Sequence, residues 1–424
     1  MATARRAGVA GLAATEESPP ERSNADGHVW NTFAALRVLV VLPFPPLVEG
    51  GAASRCAIGM LRGLAGHGVE LQVLAAHLRN DMREGPKGDL PDDLPIELAP
   101  VAHPRSKQTR WLRFAKPASV LERTPFVQLV QERARHADVV HFVELSAATL
   151  IHLVDRPAVT QVHCLTRRDR DIRPPWTSDG RTALELLRAE RRIFRQSRWL
   201  LVNSREVADP LAKIAPHAHV AVAPLPLDPA IYTPRAPLDA PVAGLIGTAE
   251  WPPTANAIER LLTSVWPRVL ERRPDSRLLL AGFGMEREAF PHLPDLRGVE
   301  WRGTVPSATD FLRELGVLLY PLGRGSGAKI KVLEALALGV PIVTTPDGAE
   351  GIGSHDGLVV GTDDGALADA TVALLGDTAA RQSAGAAAYE TFCSHHAPLP
   401  ATVPLLELYE QMAATGARRS TAAA

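Results

Sequence analysis

From residue 36 to residue 412, short and nearly continuous apolar runs alternate with longer amphipathic stretches, the pattern of a parallel sheet covered by helices. Residues 36–42 (LRVLVVL) are almost unbroken Val and Leu, as a strand buried on both faces requires, and the run stops at Pro43. A loop over 44–51 then leads into a predicted helix over 52–66 and a second strand over 69–75. Further strands are predicted at 139–142, 158–162, 199–202 and 219–223, with a helix over 181–195. A proline-rich stretch without periodicity follows, and the pattern restarts at 242–246. There the reading gives a helix at 256–272 and strands at 277–281 and 299–301. A helix at 308–315, a strand at 317–320, a helix at 328–337 and a strand at 341–344 complete it.

A chain of 424 residues with 46% hydrophobic content exceeds what one core usually needs, so two doubly wound α/β domains facing each other across a cleft are expected. Residues 1–35 read as a disordered tail, 36–225 as the first Rossmann-like domain and 226–241 as the linker. Residues 242–395 form the second Rossmann-like domain, 396–412 a terminal helix packing back on the first domain, and 413–424 a second disordered tail. In doubly wound sheets ligands bind outside the carboxyl ends of the strands, so the cleft is where chemistry is expected.

Charge narrows the function. Lys plus Arg number 46 against 47 Asp plus Glu, a net of −1, which argues against a broad field for nucleic acid. The three cysteines, Cys56, Cys164 and Cys393, lie far apart with no metal-ligand or redox spacing, which suits a reducing compartment. The apolar run 33–48 is broken by Arg37, Pro43, Pro45 and Pro46, and no signal-peptide core precedes it. A cytoplasmic protein is the expectation.

The most informative stretch is Tyr320 to Ala337, YPLGRGSGAKIKVLEALA. Gly323, Gly325 and Gly327 alternate with Arg324 and Ser326 between a strand end and a helix start. Such a loop lets backbone N–H groups approach an anion, and the helix N-terminus adds partial positive charge. Lys329 and Lys331 in the first turn oppose the helix dipole unless an anion docks there. By the 100° step they point about 200° apart, so only an irregular first turn brings both to one phosphate. Glu334 stands three residues after Lys331, either as its ion-pair partner or as an acceptor for two ribose hydroxyls.

The segment GSGAKIKVLEALALGVPIVTT, followed by GAEGI at Gly348 to Ile352, resembles the donor-binding region of retaining nucleotide-sugar glycosyltransferases of the group 1 class (family 4), with the GT-B fold. Other pieces fall in that family's order: Gly50-Gly51-Ala52 after the first strand, Gly247 to Asn256 at the start of the second domain, LLLAGFG at Leu278 to Gly284, and VEWRGTV at Val299 to Val305. The resemblance implies that Glu334 binds the donor ribose. It places Gly325, Ser326, Gly327 and Ala328 at the donor sugar and diphosphate, with Gly247 beside them and Gly50 and Gly51 approaching from the other domain. It also sets His163, after the strand 158–162, as the cleft histidine near the donor sugar. Two departures stand out. Ser326 occupies the place of a first glutamate, and the loop Trp251 to Asn256 lacks the usual basic pair, for which Lys329 and Lys331 are the expected substitutes.

The implied reaction transfers a hexose from a nucleotide diphosphate sugar to an acceptor hydroxyl with retention, without a metal or a cofactor beyond the donor as co-substrate. The acceptor is left open among a glycan, a lipid-linked sugar and a small molecule. No nucleic-acid partner is expected. The basic-aromatic run Arg105 to Lys116 (RSKQTRWLRFAK) reads either as a peripheral contact with the inner face of a membrane or as a solvated helix face. Arg167, Arg168, Arg170 and Arg173 form a second basic cluster facing the cleft, paired either with a ligand anion or with Asp169 and Asp171. His217, His219, His395, His396, Asp363 and Asp364 read as surface residues. Rival readings are a nucleotide-sugar epimerase and a non-catalytic sugar-nucleotide-binding homologue. A nicotinamide oxidoreductase is disfavoured, because neither the loop after residue 42 nor Gly282 to Arg287 completes G-x-G-x-x-G.

Overall fold

The computed structural model describes residues 36–79, 88–102, 121–234 and 241–423. The first domain is a seven-stranded, wholly parallel sheet in the order β3-β2-β1-β4-β5-β6-β7. Its strands are β1 (Arg37–Leu42), β2 (Glu70–Arg79), β3 (Ile96–Ala102), β4 (Val139–Val143), β5 (Ala158–Val162), β6 (Trp199–Val202) and β7 (His219–Val222). Its helices are α1 (Ala52–Gly66), α2 (Phe126–Ala134), α3 (Glu144–Ala148), α4 (Thr166–Asp169), α5 (Ser178–Gln196) and α6 (Arg205–Ile214). The unbroken Val/Leu run of β1 is explained by its two covered faces. Leu39 and Val41 pack with Phe126, Phe142 and Phe194, whereas Val38, Val40 and Leu42 pack with Ile58, Leu61 and Leu64 of α1.

The second domain is a six-stranded parallel sheet in the order β10-β9-β8-β11-β12-β13. Its strands are β8 (Val242–Ile246), β9 (Arg277–Ala281), β10 (Val299–Gly303), β11 (Val317–Tyr320), β12 (Ile342–Thr344) and β13 (Leu358–Val360). Its helices are α7 (Pro252–Arg260), continued through a π turn (Leu261–Val265) into α8 (Trp266–Arg272), then α9 (Ala308–Arg313), α10 (Ile330–Leu338), α11 (Asp364–Gly376) and α12 (Thr378–His395). The last helix, α13 (Pro398–Ala423), leaves this domain and sets Leu405, Leu408, Tyr409 and Met412 into the core of the first. In each sheet the strand order reverses beside the first strand, between β1 and β4 and between β8 and β11, so the crevices open at those carboxyl ends. Among the described residues no helix is long and apolar enough to cross a membrane.

Several expectations change. The edge strands β3 and β13 escape the apolar-run criterion, because β3 buries only alternate residues and β13 has three. Helix α7 begins at Pro252, since prolines at the first two helical positions suit a helix start. Residues 413–423, read as a tail, continue α13 as an Ala-rich helix. Where the linker is described, Leu227 and Tyr232 are buried. His396, read as a surface residue, is fully buried with Nδ1 3.0 Å from the Leu225 carbonyl, and burial pushes its pKa down to about 4. Residues 1–35, 105–116 and 235–240 lie outside the described residues, and with them the expected tail and the basic-aromatic run.

Candidate functional site

Between β11 and α10 the chain runs through Gly325 at φ 140° and Gly327 at φ 74°, conformations open to glycine. The helix starts later than its sequence suggests, at Ile330, because Lys329 is an extended N-cap residue with φ −92° and ψ 104°. The extra extended residues carry the loop against the first domain, so closely that a Cβ on Gly327 would lie 2.2 Å from the His163 carbonyl oxygen.

Three consecutive loop amides point at oxygen acceptors, but those acceptors belong to the protein. The Ser326 N–H donates to Asp169 Oδ1 at 2.8 Å, Gly327 N–H to Glu350 Oε1 at 2.8 Å, and Ala328 N–H to Asn203 Oδ1 at 3.0 Å. The Ser326 hydroxyl donates to Asp169 at 2.6 Å and accepts from the Leu165 N–H at 2.8 Å. Glu350 is in turn held by both Arg168 Nη atoms at 3.0 and 2.9 Å and by the Ser204 hydroxyl at 2.7 Å. Two of these amides thus meet carboxylates and the third a side-chain amide oxygen, all within the protein. The pairing of the arginine cluster differs from that expected. Arg168 reaches across the cleft to Glu350, and Asp171 accepts from Arg324 at 3.0 Å. Asp169 takes the loop amide and the Trp251 Nε1–H at 3.3 Å.

The two lysines part company, although Lys329 lies just outside the helix. Lys329 is 3% exposed and its ammonium turns back to the Gly327 carbonyl, 3.7 Å from Glu350 Oε2. It balances charge beneath the loop. The Lys331 ammonium instead lies over the end of β8, where a Cβ on Gly247 would come within 2.6 Å of it. Lys331 donates to Thr254 Oγ1 and Tyr320 Oη at 3.1 Å each and sits 4.6 Å from the Tyr320 ring centroid and 5.3 Å from that of Trp251. All three of these residues are neutral. Burial pushes both ammonium groups down to about 8, with Glu350 and Asp169 opposing the shift at Lys329 and Glu334 opposing it at Lys331.

Glu334 does not pair with Lys331. Its Oε1 accepts from the Tyr232 hydroxyl at 2.9 Å and from the Arg55 guanidinium, whose Nη1 also donates to the Gly50 carbonyl at 2.7 Å. Arg55 thus ties the Gly50-Gly51 loop of the first domain to α10 of the second. Gly51 is the N-cap of α1, and a Cβ there would meet nothing within 4 Å, so this helix start has room beside it. His163 stands at the carboxyl end of β5, half-buried, with a pKa pushed down to about 4 by burial, so its imidazole is neutral at physiological pH.

The geometry sets Gly327 against His163, Ser326 against Leu165 and Ala328 against Asn203, brings Lys331 to Gly247, and links Glu334 to Gly50 through Arg55. The sequence reading missed Arg55, Asn203 and Tyr232. Arg55 carries the signal used for the lysines, a cation in the first turn of a helix that follows a glycine pair. Asn203 and Tyr232 carry none, since Ala328 and Glu334, which they meet, lie far away in sequence. Among the described residues no group of three His, Cys, Asp or Glu is placed to hold a metal ion.

Residues 50–231 match the family model described as Glycosyltransferase Family 4, and residues 240–377 match that described as Glycosyl transferases group 1. No curated protein matches the chain in sequence. Among solved structures, sucrose-phosphate synthase from Thermosynechococcus elongatus superposes with a TM-score of 0.66 at 16% identity, over 90% of this chain and 100% of that one. HepE of Anabaena in complex with UDP and glucose gives 0.61 at 15% identity, over 88% and 99%. TarM of S. aureus gives 0.63 at 7% identity, again over 88% and 99%. At these identities the structural likeness speaks for the fold. The chain thus joins a Glycosyltransferase Family 4 domain to a Glycosyl transferases group 1 domain in the GT-B fold.

Proposed function

We propose that this enzyme transfers a hexose from a nucleoside diphosphate sugar to an acceptor hydroxyl with retention of configuration and without a metal. The observation that carries the reading is the Lys331 ammonium. It is a partly buried cation whose hydrogen-bond partners are both neutral, at the carboxyl end of β8 where the strand order reverses. A buried charge without a counter-ion is costly, and a diphosphate at Gly247 supplies one. It also fills the place of the basic pair missing from the loop Trp251 to Asn256.

In the reaction, the bond from the anomeric carbon to the β-phosphate oxygen breaks as the acceptor oxygen bonds to that carbon from the same face. A phosphate oxygen takes the acceptor proton. Negative charge grows on the departing diphosphate, where the Lys331 ammonium and the α10 N-terminus offset it. The neutral His163 imidazole orients hydroxyls of the transferred sugar. Glu334 receives a ribose hydroxyl at Oε2, which has no hydrogen bond among the described residues, while Arg55 and Tyr232 fix the carboxylate through Oε1.

UDP is the first nucleotide to try, since the HepE structure holds UDP and glucose. Thermal shift with UDP, GDP and TDP sugars is expected to raise the Tm of the wild type with one base and to raise that of Lys331→Met less at the same concentration. A wild-type response that survives intact in Lys331→Met would remove the basis of the diphosphate assignment. Donor conversion without an acceptor would favour an epimerase. Product configuration, read by NMR, tests retention.

A further inference from the structure

The described residues contain twelve positions with left-handed φ, and at eleven of them the chain places glycine. The twelfth is Glu144, at φ 65°. A side chain with a Cβ is strained in that region and glycine is not, so a turn that only had to be tight would have no use for a glutamate. Strain of this kind collects at functional sites, where the surroundings hold it in place.

The position agrees. Glu144 follows β4 directly and opens α3, and β4 is the neighbour of β1 at the reversal of strand order. Helix α1, which follows β1, covers one face of the sheet, and α3 puts Ala147 and Ala148 into the core on the other. Glu144 thus stands at the crevice of the first domain, between the Gly50-Gly51 loop and the end of β5, where it acts electrostatically on Cys164 next to His163. Its side chain is half-buried and has no hydrogen-bond or ionic partner among the described residues. Burial alone raises its pKa, to about 7. A strained, partly desolvated carboxyl that the protein leaves unpaired at the crevice is a group waiting for a donor.

The geometry points to Glu144 as the residue that receives a hydroxyl of the sugar acceptor and aligns the attacking oxygen with the anomeric carbon. The inference rests on the glycosyl-transfer reading above and extends it to the acceptor side, where the charge is acidic and the ligand is a hydroxyl donor. The carboxyl accepts a hydrogen bond and takes no proton, so the proton route to the donor phosphate is unchanged.

The test uses the full chain with UDP-glucose as donor, and water or methyl glycosides as acceptors. Glu144→Ala and Glu144→Gly are expected to bind UDP with the wild-type Kd and to release UDP from UDP-glucose about 100-fold more slowly. Glu144→Gly should also melt about 2 °C above the wild type, since it relieves the backbone while removing the carboxyl. Glu144→Gln, which keeps an accepting oxygen, should recover part of the rate. Wild-type turnover in Glu144→Ala would overturn the proposal and leave the donor site standing. A Glu144→Gly that melts lower than wild type would overturn the strain argument. Failure of the wild type to bind UDP or any other nucleoside diphosphate would sink the transfer reading and this proposal with it.

Discussion

Lys331 and Lys329 share a motif and a depressed pKa, yet they do different work because their surroundings differ. Lys329 already has Glu350 within 3.7 Å, whereas Lys331 has hydroxyls and rings. Replacing Lys331 by Met should therefore weaken donor affinity by about 10- to 100-fold, the usual worth of a charge-assisted hydrogen bond, measured by titration calorimetry with the nucleotide sugar. The pH dependence carries a sign. Its folded-state pKa of about 8 lies below the ordinary 10.5, so between those values the unfolded chain holds more protons and this group's contribution to stability rises with pH. Anion affinity runs the other way and should fall as pH rises through about 8 in the wild type. In Lys331→Met that part of the pH profile should be flat.

At the scale of the element, the alternating glycines before α10 look equivalent in sequence and are not. Gly327 has φ 74° and no room for a Cβ, being 2.2 Å from the His163 carbonyl and 2.9 Å from the Asn203 side chain, whereas a Cβ on Gly323 meets nothing within 4 Å. Gly327→Ala should thus destabilise by more than about 1 kcal/mol and push the loop off the first domain. Gly323→Ala should stay within about 0.5 kcal/mol of wild type, both measured by urea unfolding. The helix itself was legible from its apolar run, and Gly339 ends it in the left-handed conformation at φ 68°. Its first turn was not, because the two extra extended residues are stabilised by Asp169, Asn203 and Glu350, none of which is a neighbour in sequence.

At the scale of the molecule, the two domains are tied by ion pairs as well as by the apolar contacts of Cys56, Leu227 and α13. Arg55 to Glu334, Arg168 to Glu350 and Arg324 to Asp171 all cross between domains, and the first two involve carboxylates 5% and 1% exposed. Arg168→Ala leaves Glu350 buried without its bidentate partner and should cost about 3 kcal/mol in urea unfolding, less if Glu350→Gln accompanies it. Because the pair also closes the cleft, the single variant should show a larger radius of gyration by small-angle X-ray scattering. An unchanged radius would mean that other contacts hold the domains together.

Two parallel sheets, the restart of the pattern at residue 242 and the loop that opens α10 could be read from order along the chain, since apolar runs of strand length and glycine-lysine spacing are local properties. The use of each polar group could not. The amides of Ser326 and Gly327 were legible as anion binders, but that Asp169 and Glu350 are the anions follows only when Arg168 and the end of β5 are brought up against the loop. Likewise Glu334 meets Arg55 across 279 positions of chain. Propensity and periodicity act over a turn or a strand, whereas hydrogen bonds and ion pairs are satisfied by whatever the fold brings within about 3 Å.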